Sequence, residues 1–395
     1  MPTLATGQTG QTKPEKPYPD FPLTAHPNGQ WCKKIRRRLH YFGAWADWEA
    51  ALNLYLDQRD DLYAGRKPRV HGEGMTLGRA MDHFLSAKKL LEQTCEISPR
   101  SYKDYEQTCE QIAASLGSRR LLTDIDHTDL EKLRAALCRG KRLATVSPTT
   151  AKGDLTRARM LFLYLNENGL AEKPIHYRKA LRSPPARAFR KLANERGLRM
   201  FSQEEIRAMI KAAHPQVAAM IYMGINCGFG NADCGTLTFD KLDLKNGWHS
   251  YWRPKTYNPR RCPLWPETIK AIRKAQESRP KRVLPEAENL VFVTRLGACW
   301  CKHDSGDNAI SAEIRKLLKE LGIYRKNVTT FYSLRRTFET IGATAGDQAA
   351  VDCIMGHIAA TDDMAAVYRQ KTYDGQLRKV TNHVRAWLNG RKKIE

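Results

Sequence analysis

From Asp47 onward, Trp48, Ala51, Leu52, Tyr55 and Leu62 recur every three to four positions, the period of a helix that buries one face. Ahead of them, Phe21-Pro22-Leu23-Thr24 reads as a short strand and Asn28-Gly29 as a tight turn. Gln30 to Phe42 reads as one or two further strands. A helix on a small sheet is therefore predicted. From Met75 to Leu170 the period is helical throughout. One stripe is Leu77, Ala80, Met81, Phe84 and Leu85, and a second is Tyr102, Tyr105, Cys109, Ile112 and Leu116. Thr128-Asp129-Leu130-Glu131 reads as a capping box opening a third helix, with Leu130, Leu133 and Leu137 inward. Ser147-Pro148 starts a fourth, whose stripe includes Leu155, Ala158, Leu161, Phe162 and Leu165. Four such helices predict a small bundle.

The pattern breaks between Lys173 and Met200, where Pro174, Pro184 and Pro185 accompany nine Lys or Arg residues and one acid, Glu195. A basic stretch of this kind reads as a linker that extends by self-repulsion. Ser202-Gln203-Glu204-Glu205 is a further capping box, and beyond it helices surround a hairpin expected around Trp248–Leu264. After residue 370, Leu377, Val380, Val384, Trp387 and Leu388 make a last stripe, for its own core or for a neighbouring subunit. The predicted organisation is a flexible tail (1–16), a small α+β unit (17–71), an all-α bundle (72–172), a basic linker (173–200) and a mixed, mainly α domain (201–395).

Charge narrows the choice of partner. Among the 395 residues, 66 Lys and Arg face 42 Asp and Glu, a formal net charge of +24. Such an excess points to a polyanion, nucleic acid first and an anionic membrane surface second. No apolar run approaches the roughly 18 residues of a membrane span, and the N-terminus lacks the apolar core of a secretory signal. Candidate phosphate contacts are Lys33, Lys34, Arg36, Arg37 and Arg38 in the first unit and Lys152, Arg157 and Arg159 in the fourth bundle helix. Arg187, Arg190 and Lys191 in the linker complete the set. The ten cysteines are scattered, as expected of reduced thiols. Their one tight group, Cys299-Trp300-Cys301-Lys302-His303, lacks a second pair at zinc-finger spacing and reads better as a buried turn, so no metal or other cofactor is expected.

The chemistry concentrates late in the chain. Tyr332-Ser333-Leu334-Arg335-Arg336-Thr337-Phe338 precedes Met355-Gly356-His357 and then Tyr368. Upstream lie Arg253-Pro254-Lys255-Thr256 and Arg260-Arg261-Cys262-Pro263-Leu264. This order resembles the tyrosine recombinase, or phage integrase, family, whose pattern reads His-x-x-Arg, Gly-His and a nucleophilic Tyr about ten residues later, after a lysine-bearing β-hairpin. The bundle likewise resembles that family's core-binding domain and the first unit an arm-binding domain.

The resemblance implies cleavage of one DNA strand at a time by Tyr368, giving a 3′-phosphotyrosine link without metal or nucleotide. Lys255 matches the general acid and His357 a donor to a phosphoryl oxygen. The planar fork of Arg335 suits two phosphoryl oxygens. A phenol with an ordinary pKa of about 10 needs cations or a base nearby when it attacks. Tyr373 is a rival nucleophile at a less suitable distance. Two departures stand out. Gly230, in Cys227-Gly228-Phe229-Gly230-Asn231-Ala232-Asp233-Cys234, occupies the place of the family's first arginine, and Tyr332 occupies that of a His or Lys. Losing one preorganised donor costs about 10²–10³ in rate. Backbone N–H groups around Gly230 and Asn231, or the side chain of Arg253, are candidate substitutes.

The expected function is a site-specific DNA recombinase or integrase of a mobile element, in a bacterial or phage-like cytoplasm. The alternatives are a DNA-binding regulator derived from an integrase and a topoisomerase of related chemistry. Double-stranded DNA is the expected partner, with no membrane. The resemblance further implies a homotetramer on a DNA synapse, a monomer or weak oligomer off DNA, and an accessory DNA-bending protein.

Overall fold

A computed structural model describes residues 13–63, 74–139, 146–253, 258–301, 309–357 and 371–392. The first twelve residues of the expected tail, Lys255 and Tyr368 lie outside them. The chain is multidomain and mostly helical, with two small antiparallel sheets, and divides into two compact units at Met75/Thr76.

In the first unit, β1 (Thr24–His26), β2 (Gln30–Ile35) and β3 (Arg38–Ala44) form an antiparallel sheet under α1 (Trp48–Tyr63). The first strand begins at Thr24, later than the pattern suggested. Phe21 and Leu23 are buried two apart, as in a strand, but Pro22 between them has no amide for a ladder. A bulge at Trp31/Cys32 turns both of those side chains inward. Trp31 meets Phe21 edge-on at 4.9 Å between ring centres, and Phe42 meets Tyr55 at 5.3 Å. The basic run is a hairpin tip. Ile35 pairs with Arg38, so Arg36 and Arg37 alone make the turn, both left-handed at φ +50° and +68°.

The second unit opens with the expected bundle of α2 (Leu77–Gln93), α3 (Pro99–Leu116), α4 (His127–Arg139) and α5 (Pro148–Glu167). Its predicted stripes are largely buried, although Leu85, Tyr102 and Tyr105 are only partly covered. Ser147 caps α5 as expected. The cap of α4 lies two residues earlier than the sequence suggested: Asp126 and Asp129 each accept the other's backbone N–H, at 2.9 and 3.1 Å. Asp129 is chosen because its second role is a buried ion pair with Arg120. The basic stretch is not an extended linker throughout. Ile175, Tyr177, Ala180 and Leu181 are buried, and Ala186–Arg196 form helix α6. None of its residues is buried, so its charges stand in solvent while it leans on α5.

The remaining elements build around α8 (Pro215–Cys227), whose last residues, Met223 to Cys227, are all buried. It packs against α7 (Gln203–Ala212), α10 (Pro266–Glu277), α12 (Tyr332–Ala343) and α14 (Asp374–Leu388). At the α8–α12 crossing a Cβ on Gly224 would come within 2.9 Å of Leu334, so only glycine permits the approach. The short helix α9 (Asn231–Gly235) follows α8, and then β4 (Leu242–Asp243), β5 (Trp248–Ser250) and β6 (Arg261–Pro263) form the second sheet, with β5–β6 as the expected hairpin. Helices α11 (Ala309–Glu320) and α13 (Gln348–Met355) complete the unit. The last apolar stripe is buried on α14 within this chain's own core. Among the described residues no helix is long and apolar enough to cross a membrane.

Candidate active site

Helix α12 starts at Tyr332 and carries Arg335 one turn later, so both face one cleft while Arg335 alone is buried. The Arg335 guanidinium donates to the carbonyls of Gly228 (2.5 Å) and Met355 (2.8 Å), tying the end of α8 to the end of α13. Its Nε has no hydrogen-bond partner among the described residues. Burial, with a smaller push from Arg253, lowers the pKa of this guanidinium from its ordinary value. It still carries its charge at neutral pH.

Helix α13 ends on Gly356 in the left-handed conformation, which delivers His357 to the same cleft. Three successive carbonyls there hold three donors: Met355 holds Arg335, Gly356 holds Arg253 Nη1 (3.4 Å) and His357 holds Asn258 Nδ2 (2.5 Å). The imidazole of His357 lies 3.2 Å through Nδ1 from Asp352 and 3.9 Å from Glu339, with Gln348 bridging the two carboxylates. A carboxylate on Nδ1 fixes the ring so that Nε2 works outward. The cleft has a volume of about 580 Å³, with Tyr332, Arg335 and His357 along α12 and α13 and Phe189, Leu192 and Arg199 on the α6 side.

The other side is built around Gly230. Its N–H donates to the carboxylate of Asp233 at 2.7 Å. Thus the expected backbone anion cradle already holds an anion from the chain itself. The side chain of Asn231 donates to Ser311 at 2.6 Å. The second oxygen of Asp233 accepts from Arg260 Nη2 at 2.9 Å. Arg260 is fully buried between the rings of Phe229 and Tyr251, 4.6 and 5.3 Å away, and its Nη1 has no partner among the described residues. Its methylenes lie under Gly356, where a Cβ would come within 2.5–2.6 Å of them. The glycine before His357 is thus required twice, by its positive φ and by Arg260.

Sequence reasoning named Arg335, His357, Tyr332, Gly230, Asn231 and Arg253: Tyr332, Arg335 and His357 line one cleft, Arg253 donates to the Gly356 carbonyl, Gly230 stands against the Tyr332 ring, and Asn231 is turned away to Ser311. Lys255 and Tyr368 lie outside the described residues, and Tyr373 caps α14 in an exposed position. Arg260, Asp233, Asn258 and Asp352 were missed. The signal for Asp233 was present as a carboxylate three residues after Gly230, at the capping-box position. Among the candidate phosphate contacts, Arg157 is committed to Asp154 (2.5 Å) and Thr108 (2.9 Å), and Arg159 to Thr156 and Ser183. Lys33 donates to the carbonyl of Pro22. Lys34, Arg36, Arg37, Arg38, Lys152, Arg187, Arg190 and Lys191 are exposed.

No curated protein sequence matches the chain. Among solved structures it is similar to a lambda integrase tetramer bound to a Holliday junction, at 15% identity and a TM-score of 0.55 over 90% of this chain and 98% of that one. It is also similar to a Tn1549 transposon integrase in complex with circular intermediate DNA, at 14% identity and a TM-score of 0.53 over 77% and 98%. These likenesses establish the fold. Residues 199–374, which hold Gly230, Arg260, Arg335 and His357, match the model of the phage integrase family.

Proposed function

We propose that the chain is a site-specific DNA recombinase that cuts and rejoins DNA through a 3′-phosphotyrosine at Tyr368. The observation carrying this reading is the pair of buried guanidiniums, Arg335 and Arg260, each with an N–H unpartnered among the described residues, Arg335 lining the cleft with His357 and Arg260 packed under Gly356. Such a cationic, desolvated site suits the charge that develops on a phosphoryl group in transfer. Arg335 and His357 donate to the phosphoryl oxygens, Lys255 protonates the leaving 5′ oxygen, and Tyr332 adds a hydrogen bond at the cleft mouth. Arg253 and Arg260 together supply the positive charge missing at Gly230.

Double-stranded DNA is the proposed substrate, held by residues 17–71 as an arm-binding domain, 72–172 as a core-binding domain and 201–395 as the catalytic domain. The proposed working assembly is a homotetramer on a synapse. Lys34, Arg36, Arg37, Arg38, Lys152, Arg187, Arg190 and Lys191 are the proposed backbone contacts, because their charges face solvent. The occupied amide of Gly230 favours a second reading, a DNA-binding regulator without cleavage activity. A duplex nicked near its scissile bond separates the two. A covalent adduct with the intact chain, absent in Tyr368→Phe, supports the recombinase. Tight binding without adduct supports the regulator, and adducts from Tyr368→Phe would move the nucleophile to Tyr373.

A further inference from the structure

Behind the cleft, Cys227 ends α8, and His249 and Cys262 face each other across the β5–β6 ladder. All three are fully buried, and their ligating atoms lie within 4.8 Å of one another. His249 is the anomaly. Both of its ring nitrogens are buried without a hydrogen-bond partner among the described residues. The ring of Phe229 meets it edge-on with centres 5.0 Å apart. An unsatisfied buried polar group costs about 1–3 kcal/mol, and a buried imidazole between two thiols has an obvious way to recover it.

We propose that Cys227, His249 and Cys262 bind one thiophilic d¹⁰ ion, Zn²⁺ or Cu⁺, inside the catalytic region. Two sulfurs and one neutral imidazole are a soft donor set that suits either ion. Zinc–ligand bonds of about 2.0–2.3 Å bring tetrahedral donors to roughly 3.5–3.8 Å apart, so a contraction of about 1 Å closes the site. Three ligands complete a trigonal Cu⁺ site, whereas Zn²⁺ takes a fourth from a main-chain carbonyl or water. Burial already holds His249 in the neutral form a ligand needs, its pKa pushed down to about 3. Each thiol gives up its proton on binding. For Cys262 that removes hydrogen bonds to the carbonyls of Asn226 (3.6 Å) and Pro263 (3.4 Å).

The ion would fasten the end of α8, whose next residue is the Gly228 that holds Arg335, to the hairpin that carries Arg253 and Arg260. Its role is positioning, and its presence does not depend on the recombinase reading. The test uses the full chain under reducing conditions, loaded separately with Zn²⁺ and Cu⁺ and freed of loose metal, with elemental analysis. One ion per chain is expected. Retention of one metal but not the other identifies it. Co²⁺ in place of Zn²⁺ should give thiolate charge-transfer absorption, read on the unaltered protein and so independent of any variant's folding. Cys299→Ser/Cys301→Ser should keep the ion, whereas Cys262→Ser and His249→Phe should lose it. No stoichiometric retention of either ion, or loss of the ion only in the Cys299/Cys301 variant, overturns the assignment.

Discussion

Along α12 and α13, Arg335 and His357 stand where their motifs put them, each fixed by a short local logic: a helix turn, a glycine cap, a carboxylate behind a ring. Along α8 and α9, the motif position is a glycine, and the buried charge beside it comes from Arg260, thirty residues later on another element. Asp233 is the hinge of the exchange. It holds the Gly230 amide with one oxygen and the Arg260 guanidinium with the other. On the proposed reading, the site keeps a cation in place while the residue supplying it moves along the chain. A linear motif tracks positions, whereas a transition state meets only charge and geometry.

The α12 side should be the less forgiving in catalysis. Arg335→Lys keeps a charge but loses the fork that spans the carbonyls of Gly228 and Met355. Cleavage of a nicked duplex should fall by at least about 10²–10³, with binding changed far less. Equal loss of binding and cleavage would make Arg335 a structural strut only.

The rebuilt side should show its importance in stability. Arg260→Met leaves Asp233 charged and buried, which should cost about 3–5 kcal/mol in denaturant unfolding. Adding Asp233→Asn should recover a substantial part of that loss. No recovery in the double variant would mean that Arg260 acts through ring packing on Phe229 and Tyr251 instead of through Asp233.

Gly230→Arg sharpens the same contrast. A Cβ at Gly230 would sit 3.4–3.5 Å from Asp233 and Tyr332, ordinary contact, so the backbone there accepts a side chain's first carbon. If Arg260 and Arg253 already supply the charge, a third guanidinium should leave cleavage within about tenfold, whereas Arg253→Ala should lower cleavage much more than binding. A rise of a hundredfold or more in Gly230→Arg would show that the position is simply empty.

Local signals explain what was legible. The stripes of the bundle and the Ser147 cap are each written within one or two turns, and the structure keeps them. The α4 cap moved to Asp126 because Asp129 answers to Arg120, a tertiary partner that no capping pattern contains. The helix at Ala186–Arg196 was hidden by its charge, since a helix that buries no residue offers no buried face to read. Arg260 was invisible for a further reason. Beside Arg261 it reads as an exposed hairpin cation, and only the folded chain sets its methylenes beneath Gly356.

The smallest effect belongs to the first unit, and it separates stability from function. Arg36 and Arg37 turn the β2–β3 hairpin with two positive φ angles, a task that Asn-Gly performs with little strain. Arg36→Asn/Arg37→Gly should therefore stabilise the hairpin by about 1 kcal/mol, read as slower amide exchange across Lys34–Leu39. If the strained arginines are kept for DNA phosphates, the same variant should bind duplex more weakly, and the slope of log affinity against log salt should shrink by about two contacts. Greater stability with an unchanged salt slope would place the DNA contacts of this unit elsewhere, and would leave Lys34 and Arg38 as the next residues to change.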